Sequence, residues 1–226
     1  MTSKRDRRER RYLGLVAGAL IFAAQPAPLA WGQESRPGAL TDAARATPAV
    51  RILVAYYSRT GNTKRMAEAV AEGVRSVAGA AAIVKQVDQV SKEDLEAADG
   101  IILGSPTYFA NIAGRMKAAI DDWNWKLKVD FTNKVGGAFA TGGGQTGGKE
   151  HVVVSLLLFM LNNRMIVCGP LYQDASGEDI WGEIGSTAMT GPLDPGVGPG
   201  ERDAAHRLGQ RVARIAGRMK RSLVAD

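Results

Sequence analysis

The chain has 226 residues, 45% of them hydrophobic, which suits one ordinary domain with extensions and excludes a disordered or collagen-like chain. Its formal net charge of +6 is unevenly placed: residues 1–32 hold six basic and two acidic side chains, while the remaining 194 hold 23 basic against 21 acidic. A body so close to neutral has no basic stripe for nucleic acid, and the lone Cys168 excludes an internal disulfide or a cysteine zinc site.

The chain opens with a charged region, Lys4, Arg5, Arg7, Arg8, Arg10 and Arg11. An apolar run from Leu13 to Ala24 follows, then Pro26, Pro28 and small residues around Ala30 and Gly32. This order predicts a secretory signal peptide over residues 1–32, cleaved after Ala30 or Gly32, and hence an exported protein. The run of about 12 residues is short of the ~20 that span a bilayer. An uncleaved N-terminal anchor is the second reading and the only route to a membrane. Arg10-Arg11 before Tyr12-Leu13 loosely resembles a twin-arginine signal. Residues 33–48, with Pro37 and Gly38, read as a linker to a domain over 49–226.

From Val50 the pattern changes. Val50 to Tyr57 is β-branched and aromatic, a buried strand. Thr63 to Val77 has helical spacing, with Met66, Val70, Val74 and Val77 on one face. Ala82–Val87 reads as a second strand, Ser91 as the cap of a short helix, and Gly100–Gly104 as a third strand. Ile112–Trp123 reads as a helix, Val135–Ala140 as a fourth strand, Glu150–Asn162 as a helix and Met165–Cys168 as a fifth strand. A Gly/Pro-rich stretch over 169–200 precedes a final amphipathic helix, Glu201–Leu223, whose arginines form an exposed face. The helix from Glu150 is apolar all round, which predicts burial in the core, with a subunit contact and a homo-oligomer as the second reading. Strands alternating with helices predict an α/β fold: a doubly wound five-stranded parallel sheet in the order 2-1-3-4-5.

In such a sheet ligands sit beyond the carboxyl ends of the strands. Three loops there are unusual. The first, Ser58-Arg59-Thr60-Gly61-Asn62-Thr63, joins hydroxyls, an amide and a glycine at a helix start, a cradle for a monophosphate. Helix capping needs only one of these residues. The second, Gly104 to Ile112, carries Pro106, Thr107, Tyr108 and Phe109, an aromatic wall beside backbone amides. The third, Thr141-Gly142-Gly143-Gly144-Gln145, continues through Thr146, Gly147 and Gly148 and lets backbone approach a ligand closely. Gly143 to Lys149 reads G-x-x-x-x-G-K, but Glu150 stands where a nucleotide-hydrolysing loop needs Ser or Thr. That excludes ATP or GTP hydrolysis. His151 and His206 stand far apart without a carboxylate motif, so neither a metal nor a triad is expected.

Together the three loops resemble those of the flavodoxin-like NAD(P)H:quinone oxidoreductases, the tryptophan-repressor-binding-protein type, over residues 50–223. The resemblance implies FMN as cofactor, with Ser58–Thr63 on its phosphate and residues 106–109 and 141–145 on the ribityl and ring. It implies NAD(P)H as co-substrate and donor, a quinone-like acceptor, and hydride chemistry carried by the flavin without a catalytic acid or base. A one-electron carrier is the alternative. Where the family has paired histidines before the last strand, this chain has Asn162-Asn163, so Asn162 is the expected flavin neighbour. Trp125 is the expected substrate-side tryptophan.

Overall fold

The computed structural model describes residues 50–191, 193 and 195–225. The expected signal segment and linker lie outside the described residues. Strand β1 (Val50–Tyr56) is followed by α1 (Asn62–Arg75), β2 (Ala80–Gln86), a single 3₁₀ turn and α2 (Lys92–Ala97). Next come β3 (Gly100–Tyr108), β4 (Asn111–Ile112), α3 (Gly114–Trp125), β5 (Val135–Gly142) and α4 (Lys149–Asn162). The chain ends with β6 (Ile166–Val167), β7 (Leu171–Gln173), β8 (Asp179–Gly182), β9 (Ser186–Met189) and α5 (Pro199–Ala225).

The sheet order is β2-β1-β3-β5-β6, and all four pairings along it are parallel. This is the expected doubly wound arrangement. Residues 52–55 of β1 and 101–103 of β3 are nearly inaccessible, as strands covered on both faces must be. One face carries α1 and α5 over Ile52, Val54, Ile102 and Phe139. The other carries α2, α3 and α4 over Leu53, Ala55, Ile101 and Leu103.

The fifth position of the sheet corrects the expectation. Met165–Cys168 does not form one strand: only Ile166–Val167 pairs, with Val135–Gly136. The chain leaves at Pro170 and forms a β7–β8 hairpin, with Tyr172 stacked on Trp181 at 4.2 Å. It then returns as β9, parallel to Phe139–Gly142. The Gly/Pro-rich stretch thus contains the second half of the fifth strand. Its four residues, Ser186 to Met189, are too few to show a period against that background.

Helix α4 is also only partly as expected. Val152, Val153, Leu156 and Met160 are buried, while Val154, Leu158 and Leu161 are 38%, 58% and 53% exposed. Its apolar composition therefore exceeds what the core uses. In α5, Arg214 and Arg218 are exposed as expected. Arg207 and Arg211 are half-buried, the first 5.6 Å over the Tyr172 ring and the second donating to the Gly169 carbonyl. Cys168 is a packing residue: burial pushes its thiol up to about 11 against the opposing pull of Arg211. Among the described residues no helix is long and apolar enough to cross a membrane.

Helices α1 and α5 meet backbone to backbone. A Cβ on Gly73 would overlap the His206 carbonyl, and one on Gly209 would overlap the Val70 carbonyl. Gly209→Ala is expected to lower unfolding stability by about 3 kcal/mol, because the helices must part to admit the methyl group. Urea denaturation checks this. A loss below about 0.5 kcal/mol, the range of ordinary surface substitutions, would show that the contact yields freely.

Candidate functional site

The carboxyl ends of β1, β3 and β5 converge at the point where strand order reverses. A cleft of about 250 Å³ opens there. Arg59, Thr60, Asn62 and Thr63 line it from the first loop, Pro106, Thr107 and Tyr108 from the second, and Thr141, Gly142 and Gly143 from the third. Ten predicted site residues therefore share one cleft. Ser58 and Gly61 support it from behind, the Gly61 amide donating to the Ser58 hydroxyl at 3.1 Å. Gly144 and Gln145 continue the third loop at the exposed rim.

The helices α1 and α4 start here without side-chain caps. Gly61 precedes α1 at φ 98°, and Gly148 precedes α4 at φ 91°, a left-handed conformation natural to glycine. The hydroxyls near α1 are used otherwise. The Thr63 and Thr141 hydroxyls share a buried 2.8 Å hydrogen bond that ties the first loop to the third. The Asn62 side chain spans Thr60 and Arg65, accepting from the Arg65 guanidinium at 2.7 Å. Simple capping does not account for this cluster. The uncapped positive end of α1 lies in the cleft wall, which favours an anion there.

The second loop is not irregular. β3 continues to Tyr108 and turns through Phe109 and Ala110 into β4. Both turn residues have positive φ, 50° and 62°, the geometry of a two-residue hairpin turn that glycine and asparagine normally occupy. Phe109 is fully exposed at the tip. Ser105 anchors the base: its hydroxyl donates to the Pro106 carbonyl at 2.8 Å and accepts from the Ala113 amide at 3.1 Å. Tyr108 packs edge-on to Tyr57 at 6.5 Å. Burial raises the Tyr108 phenol above its usual range, Tyr57 adds to this, and Arg59 opposes it. The phenol is thus a neutral donor.

The Thr107 hydroxyl is the buried side-chain polar atom without a hydrogen-bond partner among the described residues. It lies in the cleft wall where the three loops meet. An orphaned buried hydroxyl costs about 1–3 kcal/mol, so its position points to a polar ligand. The open backbone at Gly143, where a Cβ would meet nothing nearer than 3.8 Å, fits the same reading. No group of His, Cys, Asp or Glu side chains among the described residues could hold a metal. A second groove of about 320 Å³ between α5 and the β7–β8 hairpin shares no residue with the three loops.

Comparison with known proteins decides the family. Residues 84–177 match the family model of the NADPH-dependent FMN reductases. An NAD(P)H dehydrogenase (quinone) of Gluconacetobacter diazotrophicus is 36% identical, over 75% of this chain and 98% of its own. The chain belongs to the flavodoxin-like NAD(P)H dehydrogenase (quinone) family. A flavodoxin of Aquifex aeolicus is 37% identical over 72% of this chain and 85% of its own. The crystal structure of a WrbA-like flavodoxin from Agrobacterium tumefaciens superposes with a TM-score of 0.58 at 27% identity, covering 75% of this chain and 98% of that one.

Two of the expected site residues do not line this cleft. Asn162 ends α4 and Trp125 ends α3, helices that start beside the cleft and run back against the strand direction. A 14-residue helix carries its last residue about 21 Å along its axis. Asn162 is exposed beside the start of β5, and Trp125 is 82% exposed. Neither lines the cleft. In their place is Thr190, which follows β9, lines the cleft and donates its amide to the Gly142 carbonyl at 2.8 Å. Its only sequence signal is a threonine among glycines and prolines.

The strained turn gives a test of the local geometry. Ala110→Gly removes a left-handed alanine and is expected to raise unfolding stability by about 1 kcal/mol. Thermal unfolding reads this, and an unchanged or lower midpoint would mean that the turn is not strained as described.

Proposed function

We propose that the chain binds FMN non-covalently in this cleft and moves two electrons from NAD(P)H to a quinone or similar acceptor. The orphaned Thr107 hydroxyl at the meeting of the three loops carries this reading. The family membership supports it. FMN, when bound, supplies the redox chemistry. The chain's own residues bind, orient and shield. Ser58–Thr63, at the uncapped start of α1, would hold the phosphate. Pro106–Phe109 and Thr141–Gln145 would hold the ribityl chain and ring, with Thr107 and neutral Tyr108 as donors. This chemistry needs no general base or nucleophile from the chain. The 37% identity to a flavodoxin favours a second reading, a carrier that exchanges electrons with protein partners.

The purified protein is expected to show flavin absorption bands that bleach on anaerobic addition of NADH or NADPH and return with a quinone. Bands that persist would favour the carrier, and no band after incubation with FMN would sink the proposal. Thr63→Val, which breaks the bridge to Thr141, is expected to weaken FMN binding about tenfold, read by flavin fluorescence quenching.

We also propose export through residues 1–32, on the strength of their charged and apolar order. Expressed in a bacterial host, the protein is expected outside the cytoplasm with its N-terminus after Ala30 or Gly32. A cytoplasmic product that begins at Met1 would end this proposal, and an uncleaved membrane-bound product would replace it with the anchor.

A further inference from the structure

Lys149, the first residue of α4, is only 4% exposed. Lysine is almost never so buried without a partner. Its ammonium donates to the carbonyls of Gly144 and Gln145 at 2.7 and 3.0 Å. No ion pair holds it among the described residues. The placement is electrostatically costly twice over: the cation is desolvated, and it stands at the positive end of a helix. Core packing alone would be served better by an apolar side chain.

Its stem lies against the cleft floor. A Cβ on Gly142 would stand 2.9 Å from Lys149 Cγ and 3.3 Å from the side chain of Thr107. The ammonium then reaches across the glycine loop and fixes two consecutive peptide groups. A trans peptide is planar, with its C=O and N–H on opposite sides. Two carbonyls turned toward Lys149 therefore turn the amides of Gln145 and Thr146 away from it. A loop with glycine at 143, 144, 147 and 148 has the most conformational freedom to lose, and this clamp removes it in advance.

We infer that Lys149 is a positioning residue of the flavin site: its ammonium sets the peptide orientations of the 143–148 loop, and its unpaired charge favours the more negative, reduced form of the bound cofactor. The inference rests on the FMN reading above. It assigns a role to the lysine of the G-x-x-x-x-G-K sequence that nucleotide hydrolysis leaves unused.

The test uses the full chain with Lys149→Met, which keeps the stem and removes charge and donor, and Lys149→Arg, which keeps both. In Lys149→Met the amides of residues 143–148 should exchange hydrogen at least tenfold faster in the cofactor-free protein, and FMN should bind about tenfold more weakly. The preference for reduced over oxidised FMN should fall about tenfold, a drop of about 30 mV in the midpoint potential of a two-electron couple. Lys149→Arg should recover most of that drop. If Lys149→Met does not fold, Lys149→Gln, a neutral donor, reads the potential alone. An unchanged potential, with or without faster exchange, would overturn the inference and leave the lysine a structural part. If the unaltered chain binds no FMN, the functional reading fails, and unchanged exchange in Lys149→Met would overturn the clamp as well.

Discussion

The site hangs on one hydrogen bond, between the buried hydroxyls of Thr63 and Thr141. Thr63 opens α1 and Thr141 nearly closes β5, so the bond spans the end of β3 that lies between them. Parallel strands bring their carboxyl ends to one edge, but nothing in sheet pairing fixes the loops that leave it. The threonine bridge supplies that fixation across the switch point, and Pro106 pairs in register with Thr141 beneath it. The third loop can then be rich in glycine, and both helix starts can lack side-chain caps, without the loops losing their mutual position.

The rest of the cleft is made by withholding ordinary stabilisation. Two helix starts lack side-chain caps, two turn residues sit in the left-handed region, and one buried hydroxyl is left without a partner. Each costs on the order of 1 kcal/mol. All are gathered at one edge of a sheet whose interior is otherwise closely packed. This is how a binding site differs from a loop: the chain meets the cost of the geometry before any ligand arrives.

Much of this was legible in the sequence. The three loops stood out because hydroxyl, aromatic and glycine clusters interrupt runs of buried strand and helix. The order of strands followed from strict alternation with helices. The fifth strand did not, because Ser186–Met189 is four residues long and separated from Ile166–Val167 by an exposed hairpin. Thr190 was missed for the same reason. Asn162 and Trp125 lie away from the cleft in the single chain, because a position along the sequence carries no statement about which end of the sheet it reaches. The direction of α3 and α4 relative to the strands supplies that statement. The contact of Gly73 with His206 and of Gly209 with Val70 joins segments more than 130 residues apart, and no local pattern announces it.

That contact orders the assembly of the chain in time. α1 is synthesised well before α5, yet the face that carries Gly73 packs on α5. β9, which completes the sheet beside the cleft, is likewise held by α5 through the Ser186 hydroxyl and the Ala204 carbonyl at 2.9 Å. A nascent chain therefore carries an unfinished layer until α5 leaves the ribosome, with β1 and α1 waiting on it. Whatever recognises the finished domain meets a layer that closes only once α5 is seated on α1 and β9.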